Sequence, residues 1–248
     1  MAGKIILIHS ILLLLFLTFP QPSTPESIQA RISLLQFIET LSEGTFPPHS
    51  NWGWNLTSDP CHDWAGVVCD SDDRVMALTL NMVNLTGRLD LKLLCRTIQY
   101  SLKALDLTDN YIFSRLSFEI ACFTNLTYLR LGGNRLHGSL PVSLASLTGL
   151  SLVDVSRNRF SGPIPTGLGR LNIFLAQENR FDGDIPGEVN FAGLEAYNVS
   201  RNRLVGPIPS GFLDFPASSF EGNPGLCGLP LPVPCAPSPA PSPAMRGD

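Results

Sequence analysis

The sequence has 248 residues and a formal net charge of −4 at pH 7, with no run of lysine or arginine. A mildly acidic chain of this kind lacks the basic surface on which nucleic acids and anionic membranes bind, so we expect neither partner. The length suits either two globular domains or one elongated repeat array.

The first element is an apolar N-terminal segment. Lys4 precedes an apolar run over residues 5–19, which is broken by His9 and Ser10. The pattern is typical of a secretory signal, and the run is shorter than the roughly 20 apolar residues that span a membrane. We therefore expect residues 1–23 to be a signal peptide and the protein to be secreted.

Residues 24–73 are expected to form a cap that precedes the repeats. A capping box at residues 23–26 and apolar residues at helical spacing predict a helix that ends at Gly44. The rest of the segment concentrates tryptophan and cysteine, at Trp52, Trp54, Cys61, Trp64 and Cys69. Helix, tryptophans and a disulfide would together cover the open end of an apolar core.

Residues 74–223 repeat one phrase every 21 to 27 residues. In its fullest copy, residues 150–165, apolar residues alternate, an Asn follows three places later, and an apolar residue and a Gly come next. The repeating position is occupied by Val83, Asn110, Asn134, Asn158, Asn179, Asn202 and Asn223. The period and the L-x-x-L-x-L-x-x-N-x-L framework identify about six leucine-rich repeats and a truncated last one.

These repeats predict the fold class. We expect an α/β repeat solenoid: a right-handed leucine-rich-repeat superhelix with a parallel concave β-sheet and disulfide-capped ends. Alternate strand residues should face the core, so that Leu105 points inward while Ala104 and Asp106 do not. The repeating Asn should satisfy backbone groups of its own and the neighbouring turn. Val83, which replaces the first Asn, and Ser114, which replaces the Gly after Asn110, predict that the first two repeats are irregular.

Six cysteines in an exported chain should form disulfides, and we expect Cys61–Cys69, Cys95–Cys122 and Cys227–Cys235. The outer pairs flank the repeats, while both members of the middle pair follow their repeat position by twelve residues. Equivalent positions in adjacent solenoid turns lie roughly 5 Å apart, which suits a disulfide. Zinc binding is the weaker alternative, because the spacings are not C-x-x-C and only His62 lies beside a cysteine.

The chain ends in a second cap and a tail. Residues 224–235 carry the last two cysteines and should close the C-terminal end of the core. Residues 236–248 are rich in Pro, Ser and Ala, cannot bury a core, and should be an extended polyproline-II spacer. No second apolar stretch has spanning length, so we expect no transmembrane helix in this chain.

The outward strand residues of a solenoid form columns on its concave face, and these columns give the candidate binding site. It consists of Tyr128, Arg130, Leu152, Asp154, Ile173 and Leu175. We expect the four apolar or aromatic members to form an exposed strip that anchors a partner. For the charges we favour a plainer interpretation, in which self-satisfying ladders run through Asp106–Arg130–Asp154 and Arg157–Glu178–Arg201.

Four N-x-S/T sequons predict glycosylation, at Asn55, Asn84, Asn125 and Asn198. Asn198 falls in the middle concave column, where a glycan would cover the C-terminal part of that face. The alternative is that Asn198 stays unmodified.

No catalytic constellation stands out. Outside the predicted signal the histidines are His49, His62 and His137, which are dispersed and lack a nucleophile in a recognisable motif. The glycines recur at repeat corners and form no phosphate-binding loop. We expect a protein that is not an enzyme and that needs neither a cofactor nor a metal.

Several motifs resemble those of plant extracellular leucine-rich-repeat proteins. Residues 64–69 match the W-x-G-V-x-C signature of that family's N-terminal cap, and four repeats end in Gly-x-Ile-Pro or Gly-x-Leu-Pro. Residues 215–230 resemble the closing cap of plant receptor-like kinases with short ectodomains, the pollen receptor-like and inactive receptor kinase group. The resemblance covers residues 25 to 235.

The resemblance implies a non-catalytic extracellular recognition module that binds a peptide or protein ligand, or a co-receptor, through its concave face. In that group a membrane helix and a kinase domain follow, which would place a full-length receptor at the cell surface. Without them the chain would be secreted into the apoplast or cell wall. Two alternatives stay open: a secreted cell-wall enzyme inhibitor similar to polygalacturonase inhibitors, which have longer arrays, and a structural wall protein.

Overall fold

The computed structural model describes residues 25–43, 52–187 and 193–236. The predicted signal peptide, and the predicted tail beyond its first residue, lie outside these ranges. Within them, helix α1 (Pro25–Leu41) opens the chain, and helix α2 (Pro60–Asp63) and strands β1 (Val67–Cys69) and β2 (Val75–Thr79) follow.

Helix α1 covers the first repeat with its C-terminal half. Its fully buried residues follow helical spacing and are Leu34, Phe37, Ile38 and Leu41. The N–H of Gly87, in the first repeat, donates to the Leu41 carbonyl at 2.7 Å. A Cβ atom on Gly87 would overlap the Thr40 carbonyl oxygen, so only glycine permits this approach.

Two tryptophans complete the N-terminal cap. The rings of Trp54 and Trp64 stack with their centroids 4.6 Å apart, and both are almost fully buried. Their indole N–H groups donate to the Ala65 carbonyl at 2.9 Å and to the Ser58 hydroxyl at 2.7 Å. The apolar rings therefore close the end of the core without leaving a buried donor unpaired.

The repeats add short strands and helical turns. The strands are β3 (Ala104–Asp106), β4 (Tyr128–Arg130), β5 (His137–Gly138), β6 (Leu152–Asp154), β7 (Arg159–Gly162), β8 (Ile173–Leu175), β9 (Arg180–Asp184), β10 (Ala196–Asn198), β11 (Arg203–Pro207) and β12 (Gly225–Cys227). The turns are helix α3 (Lys92–Cys95) and the 3₁₀ helices Phe118–Cys122, Val142–Ser146, Ser210–Phe212 and Ala217–Ser219.

Seven strands form the concave sheet in the order β1-β2-β3-β4-β6-β8-β10, and all but β1 run parallel. The central residue of each repeat strand is buried, in register with its neighbours: Leu78, Leu105, Leu129, Val153, Phe174 and Tyr197. A second sheet, β12-β11-β9-β7-β5, lines the flank. The predicted α/β solenoid with its parallel concave sheet is therefore confirmed.

The repeating Asn joins each repeat to the one before it. Asn158 is representative: its Nδ2 donates to the carbonyls of Leu131 at 2.9 Å and Val155 at 3.1 Å, and its Oδ1 accepts from the N–H of Leu136 at 2.9 Å. Leu131 and Leu136 belong to the preceding repeat. The same three kinds of bond are made by Asn110, Asn134, Asn179, Asn202 and Asn223.

The first repeat departs from this pattern, as predicted from Val83. Because valine has no amide, its side chain packs against the core, and its own N–H donates to Asn110 Oδ1 at 3.1 Å. The first repeat thus receives hydrogen bonds from the second without making the equivalent bonds toward the cap.

The three disulfides join the pairs that the sequence predicts. Their Cα–Cα distances are 5.5 Å for Cys61–Cys69, 5.7 Å for Cys95–Cys122 and 4.9 Å for Cys227–Cys235. The middle bond ties helix α3 to the 3₁₀ helix of the next repeat, while the outer two lie in the end segments.

Aromatic residues fill the C-terminal end of the core. Tyr197 occupies a position that is leucine, valine or phenylalanine in earlier repeats, and its ring centroid lies 4.4 Å from that of Phe212 and 5.6 Å from that of Phe174. Phe215 and Phe220 complete the cluster. Burial disfavours the charged form and raises the pKa of the Tyr197 hydroxyl above its ordinary value.

The hydrogen bonds of the repeating Asn predict how far its replacement should lower the stability of the protein. Replacing Asn158 by Ala leaves buried carbonyl and N–H groups of two repeats unpaired, and should lower the free energy of unfolding by about 3 kcal/mol. The neighbouring exposed change Arg159→Ala should alter it by less than about 0.5 kcal/mol. Urea unfolding of both variants measures the difference, and equal stabilities would show that the Asn bonds do not hold the repeats together.

Candidate functional site: the concave face

The structure brings the six predicted site residues together on three neighbouring strands. Strands β4, β6 and β8 pair in parallel, with Tyr128 beside Leu152 beside Ile173, and Arg130 beside Asp154 beside Leu175. Neighbouring strands lie about 4.8 Å apart, so the patch is about 10 Å wide. The strands hold the two columns in register because their central residues are fixed in the core.

Leu152 differs from the prediction. It was expected to be exposed, but only 8% of its surface is accessible, compared with 43% for Tyr128. Tyr128 and Ile173 flank it at the same register on the two neighbouring strands, where their side chains limit the access of water to it. Leu152 lies outside the contiguous core, and together with half-buried Ile173 and Leu175 it forms an apolar floor. The predicted continuous exposed strip is therefore wrong.

Arg130 is the exposed cation of this patch. Its guanidinium group lies over the Tyr128 ring, 5.7 Å from the ring centroid, and 3.9 Å from the Asp106 carboxylate. That ion pair is long, and 44% of the Arg130 side chain is accessible. An aromatic ring and a weakly held guanidinium group thus stand side by side above the apolar floor.

Other polar residues of the same column have a structural role. The side-chain oxygens of Asp106, Asp154 and Asn198 accept hydrogen bonds at 2.9 to 3.0 Å from the N–H two residues further on. Asp154 is therefore held by the N–H of Ser156. The predicted ladder Asp106–Arg130–Asp154 is wrong at its second step, because the Arg130 guanidinium group lies over the Tyr128 ring and toward Asp106, and among the described residues it makes no ion pair with Asp154.

The second predicted ladder, Arg157–Glu178–Arg201, is wrong at its first step, because Arg157 does not pair with Glu178. Arg157 pairs with Asp109, two repeats away, at 2.7 Å, and Arg201 pairs with Glu178 at 3.3 Å. Arg157 can reach Asp109 because Gly133, which lies between the two side chains, carries no side chain of its own. Gly133 also has a φ of +67°, a backbone conformation that favours glycine.

Gln177 is a residue of this face that the sequence analysis did not single out. It lies two residues after Leu175, and its Oε1 atom is buried without a hydrogen-bond partner among the described residues. An unpaired buried acceptor is costly unless something donates to it. A glutamine in a variable repeat position gives no sequence signal, so only the structure could find it.

The sequons occupy different environments. Asn55, Asn84 and Asn125 are exposed, whereas Asn198 is half-buried and lies beside Leu175 on the concave sheet. The Oδ1 atom of Asn198 accepts from both the N–H and the hydroxyl of Ser200. Glycosylation at all four positions stays a prediction.

Two further observations concern membrane-spanning helices and metal sites. None of the helices in the described residues is both long enough and apolar enough to cross a membrane. Over the same parts of the chain, His, Cys, Asp and Glu side chains do not gather in groups of three that could hold a metal ion.

Comparison with known families agrees with this architecture. The family model of the leucine rich repeat N-terminal domain matches residues 29–70, and that of the leucine rich repeat matches residues 125–147 and 149–171. The chain is built from leucine-rich repeats behind their N-terminal domain. No curated protein sequence matches it.

Solved structures similar to this leucine-rich-repeat chain are ectodomains of plant receptor kinases. Pollen Receptor Kinase 3 is 25% identical with a TM-score of 0.70, and the alignment covers 84% of this chain and all of that one. For the Arabidopsis thaliana BIR3–SERK2 complex the identity is 26% and the TM-score 0.56, over 83% of this chain and 99% of that one. The predicted resemblance to receptor-kinase ectodomains is confirmed.

A longer receptor is also similar. The ectodomain of the Arabidopsis receptor kinase HAESA, solved with an IDA peptide hormone ligand, is 27% identical with a TM-score of 0.61. The alignment covers 82% of this chain but only 37% of HAESA.

Because Leu152 is buried and Tyr128 is exposed, their replacement by Ala should destabilise the protein to different extents. Leu152→Ala should lower the free energy of unfolding by about 2 kcal/mol, because it opens a space under Tyr128 and Ile173. Tyr128→Ala removes an exposed ring and should cost less than about 1 kcal/mol. Thermal denaturation of the two variants decides between burial and exposure, since an exposed Leu152 would make both changes equally mild.

Proposed function

We propose that this chain is a non-catalytic extracellular recognition module of the receptor-kinase ectodomain type, which binds a peptide or protein partner through its concave face. The observation that carries the proposal is the Tyr128–Arg130 pair, exposed in the middle of the concave sheet above an apolar floor. The module would act at the cell surface or in the apoplast.

The chemistry of the patch suits a peptide or protein. Tyrosine and arginine are enriched among the residues that dominate binding energy at protein interfaces, because each combines a large contact area with directional hydrogen bonds. Among the residues that the structure describes, only the distant Asp106 carboxylate competes for the Arg130 guanidinium group. Arg130 can therefore donate to a carbonyl or carboxylate of a partner.

The apolar floor supplies the remaining part of the interface. Leu152, Ile173 and Leu175 lie beside the polar pair on two neighbouring strands. A partner side chain that covers them would remove apolar surface from water at about 25 cal/mol per Å². The floor and the polar pair together cover only the central strands, so one short segment of a partner would suffice to contact them all.

Two of the similar proteins support this kind of interaction. BIR3 is seen in a complex with SERK2, and HAESA with a peptide hormone. One partner is a protein and the other is a peptide, which are the two classes proposed for this chain. The described residues add no observation that favours the cell-wall enzyme inhibitor or the structural wall protein.

A double variant tests the proposal. Tyr128→Ala with Arg130→Ala should weaken binding to a partner, found in a panel of secreted peptides and receptor ectodomains, by a factor of about 30 or more. The matched control is Phe118→Ala with Arg115→Ala, which also removes an aromatic ring and a guanidinium group, but from exposed positions off the concave sheet. Biolayer interferometry gives the dissociation constants.

The control variant should bind like the original protein, and both variants should unfold at nearly the same temperature. If the double variant keeps full affinity while the control loses it, the partner binds the convex side and the concave-face proposal is wrong.

A further inference from the structure

Three exposed basic side chains lie in one row across the second sheet, on the flank of the solenoid. Strands β5 and β7 pair so that His137 lies beside Arg159, and a parallel bridge places Arg115 of the preceding repeat on the other side of His137. The residue next to each of them is buried: Leu116, Leu136 and Phe160. Because residues paired in a parallel sheet project to the same side, this basic row presents a guanidinium group on either side of an imidazole.

Backbone hydrogen bonds and one glycine fix the basic row. The N–H groups of His137 and Arg159 donate to carbonyls of the preceding repeats, at 3.0 and 2.8 Å. The stem of Arg115 crosses Gly138, since a Cβ atom on that glycine would lie 3.1 Å from Arg115 Cγ and 3.4 Å from its Nε. Gly138 has a φ of +81°, a conformation that favours glycine. Arg115 therefore leans over β5, the strand that lies between it and Arg159.

The basic row has no counter-ion among the residues that the structure describes. There Arg115, His137 and Arg159 take part in no ion pair and no side-chain hydrogen bond. The carboxylates of Asp109 and Glu178 pair with other arginines, at 2.7 and 3.3 Å. The two guanidinium groups are attached about 10 Å apart with a third basic group between them, so they repel each other. An anion bound across the row would remove that repulsion.

The other arginines of this flank are engaged or paired in register. On the N-terminal side of the row, the guanidinium groups of Arg88 and Arg135 lie over aromatic rings, 5.8 and 4.9 Å from the ring centroids. On the C-terminal side, Arg203 lies beside Asp182. The basic row is therefore a local feature of the middle repeats and does not extend along the whole flank.

We propose that the basic row binds the phosphate or sulfate group of a monoester. Such a group has three free oxygens, one for each side chain of the row, and guanidinium groups bind oxyanions of this kind through parallel N–H···O bonds. The imidazole of His137 donates through a ring N–H. Ser161, two residues after Arg159 on the same side of β7, adds a hydroxyl. Because the row is exposed, the rest of the ester can remain in solvent.

Two other kinds of anion fit the basic row less well. A carboxylate has only two oxygens, so one of the three side chains would lack a charged acceptor. A phosphodiester also keeps only two free oxygens and carries a substituent on each side. An extended polyanion such as a nucleic acid would in addition meet the net charge of −4 of the whole chain. A monoester group avoids all three costs.

The test uses the intact secreted protein and small anions at constant ionic strength. Methyl phosphate, methyl sulfate or both should shift the ring resonances of His137 along a saturating curve, followed by NMR. They should bind about as tightly as inorganic phosphate, because the fourth oxygen faces solvent, and about tenfold more tightly than acetate or dimethyl phosphate. Comparison of the two monoesters shows whether the row prefers phosphate or sulfate.

Two double variants separate the row from general electrostatic attraction. Arg115→Gln with Arg159→Gln should weaken monoester binding by about tenfold. The control, Arg180→Gln with Arg203→Gln, removes the same charge from exposed arginines of the same flank and should change affinity by less than about twofold.

Three outcomes would overturn the proposal: equal losses in both double variants, binding of acetate or dimethyl phosphate as tight as that of the monoesters, or binding of inorganic phosphate without binding of either monoester. Recognition through the concave face is independent of this site. Tyr128→Ala with Arg130→Ala should leave monoester binding unchanged, so either function can fail without the other.

Discussion

Each buried Asn side chain completes the backbone hydrogen bonding of two repeats, and the rest of the structure depends on this interaction. A leucine-rich repeat alone exposes its apolar side and leaves turn N–H and carbonyl groups unpaired. Asn158, with bonds of 2.9 to 3.1 Å to Leu131, Leu136 and Val155, removes both costs at once, because it pairs these groups and holds the neighbouring unit against the core. Six consecutive positions repeat the arrangement, so the parallel register is continuous from β3 to β10.

Because the strand register is fixed, residues that recur at the same position of each repeat line up on the surface of the solenoid. Residues before and after the centre of each strand line up on the concave face. Within these lines, hydrogen bonds and ion pairs show which side chains hold the fold together and which can contact a ligand. Asp154 is held by the N–H of Ser156 and Arg157 is paired with Asp109 at 2.7 Å, whereas the ion pair of Arg130 with Asp106 is long, at 3.9 Å. The concave surface that we assign to a partner is therefore centred on a charge that the fold itself holds weakly.

Local repetition explains why so much could be predicted from the sequence. The strand phase at Leu105, the Asn positions and the pairing of Cys95 with Cys122 all follow from counting residues, because equivalent positions stack. Properties that depend on side-chain size, or on contacts that extend over several repeats, could not be predicted by counting residues. Leu152 is covered by its neighbours, and Arg157 passes over Gly133 to a residue 48 positions away in sequence.

Hydrogen exchange measured by NMR at single amides tests the Asn bonding most directly. The N–H groups of Leu136 and Phe160 donate to the side chains of Asn158 and Asn179 at 2.9 Å in the middle of the array. If these side chains lock the repeats, both amides should exchange only when the whole array unfolds, with a free energy of opening equal to that of global unfolding. Exchange through local opening, at a free energy several kcal/mol lower, would contradict the account, because each repeat would then separate from its neighbour on its own.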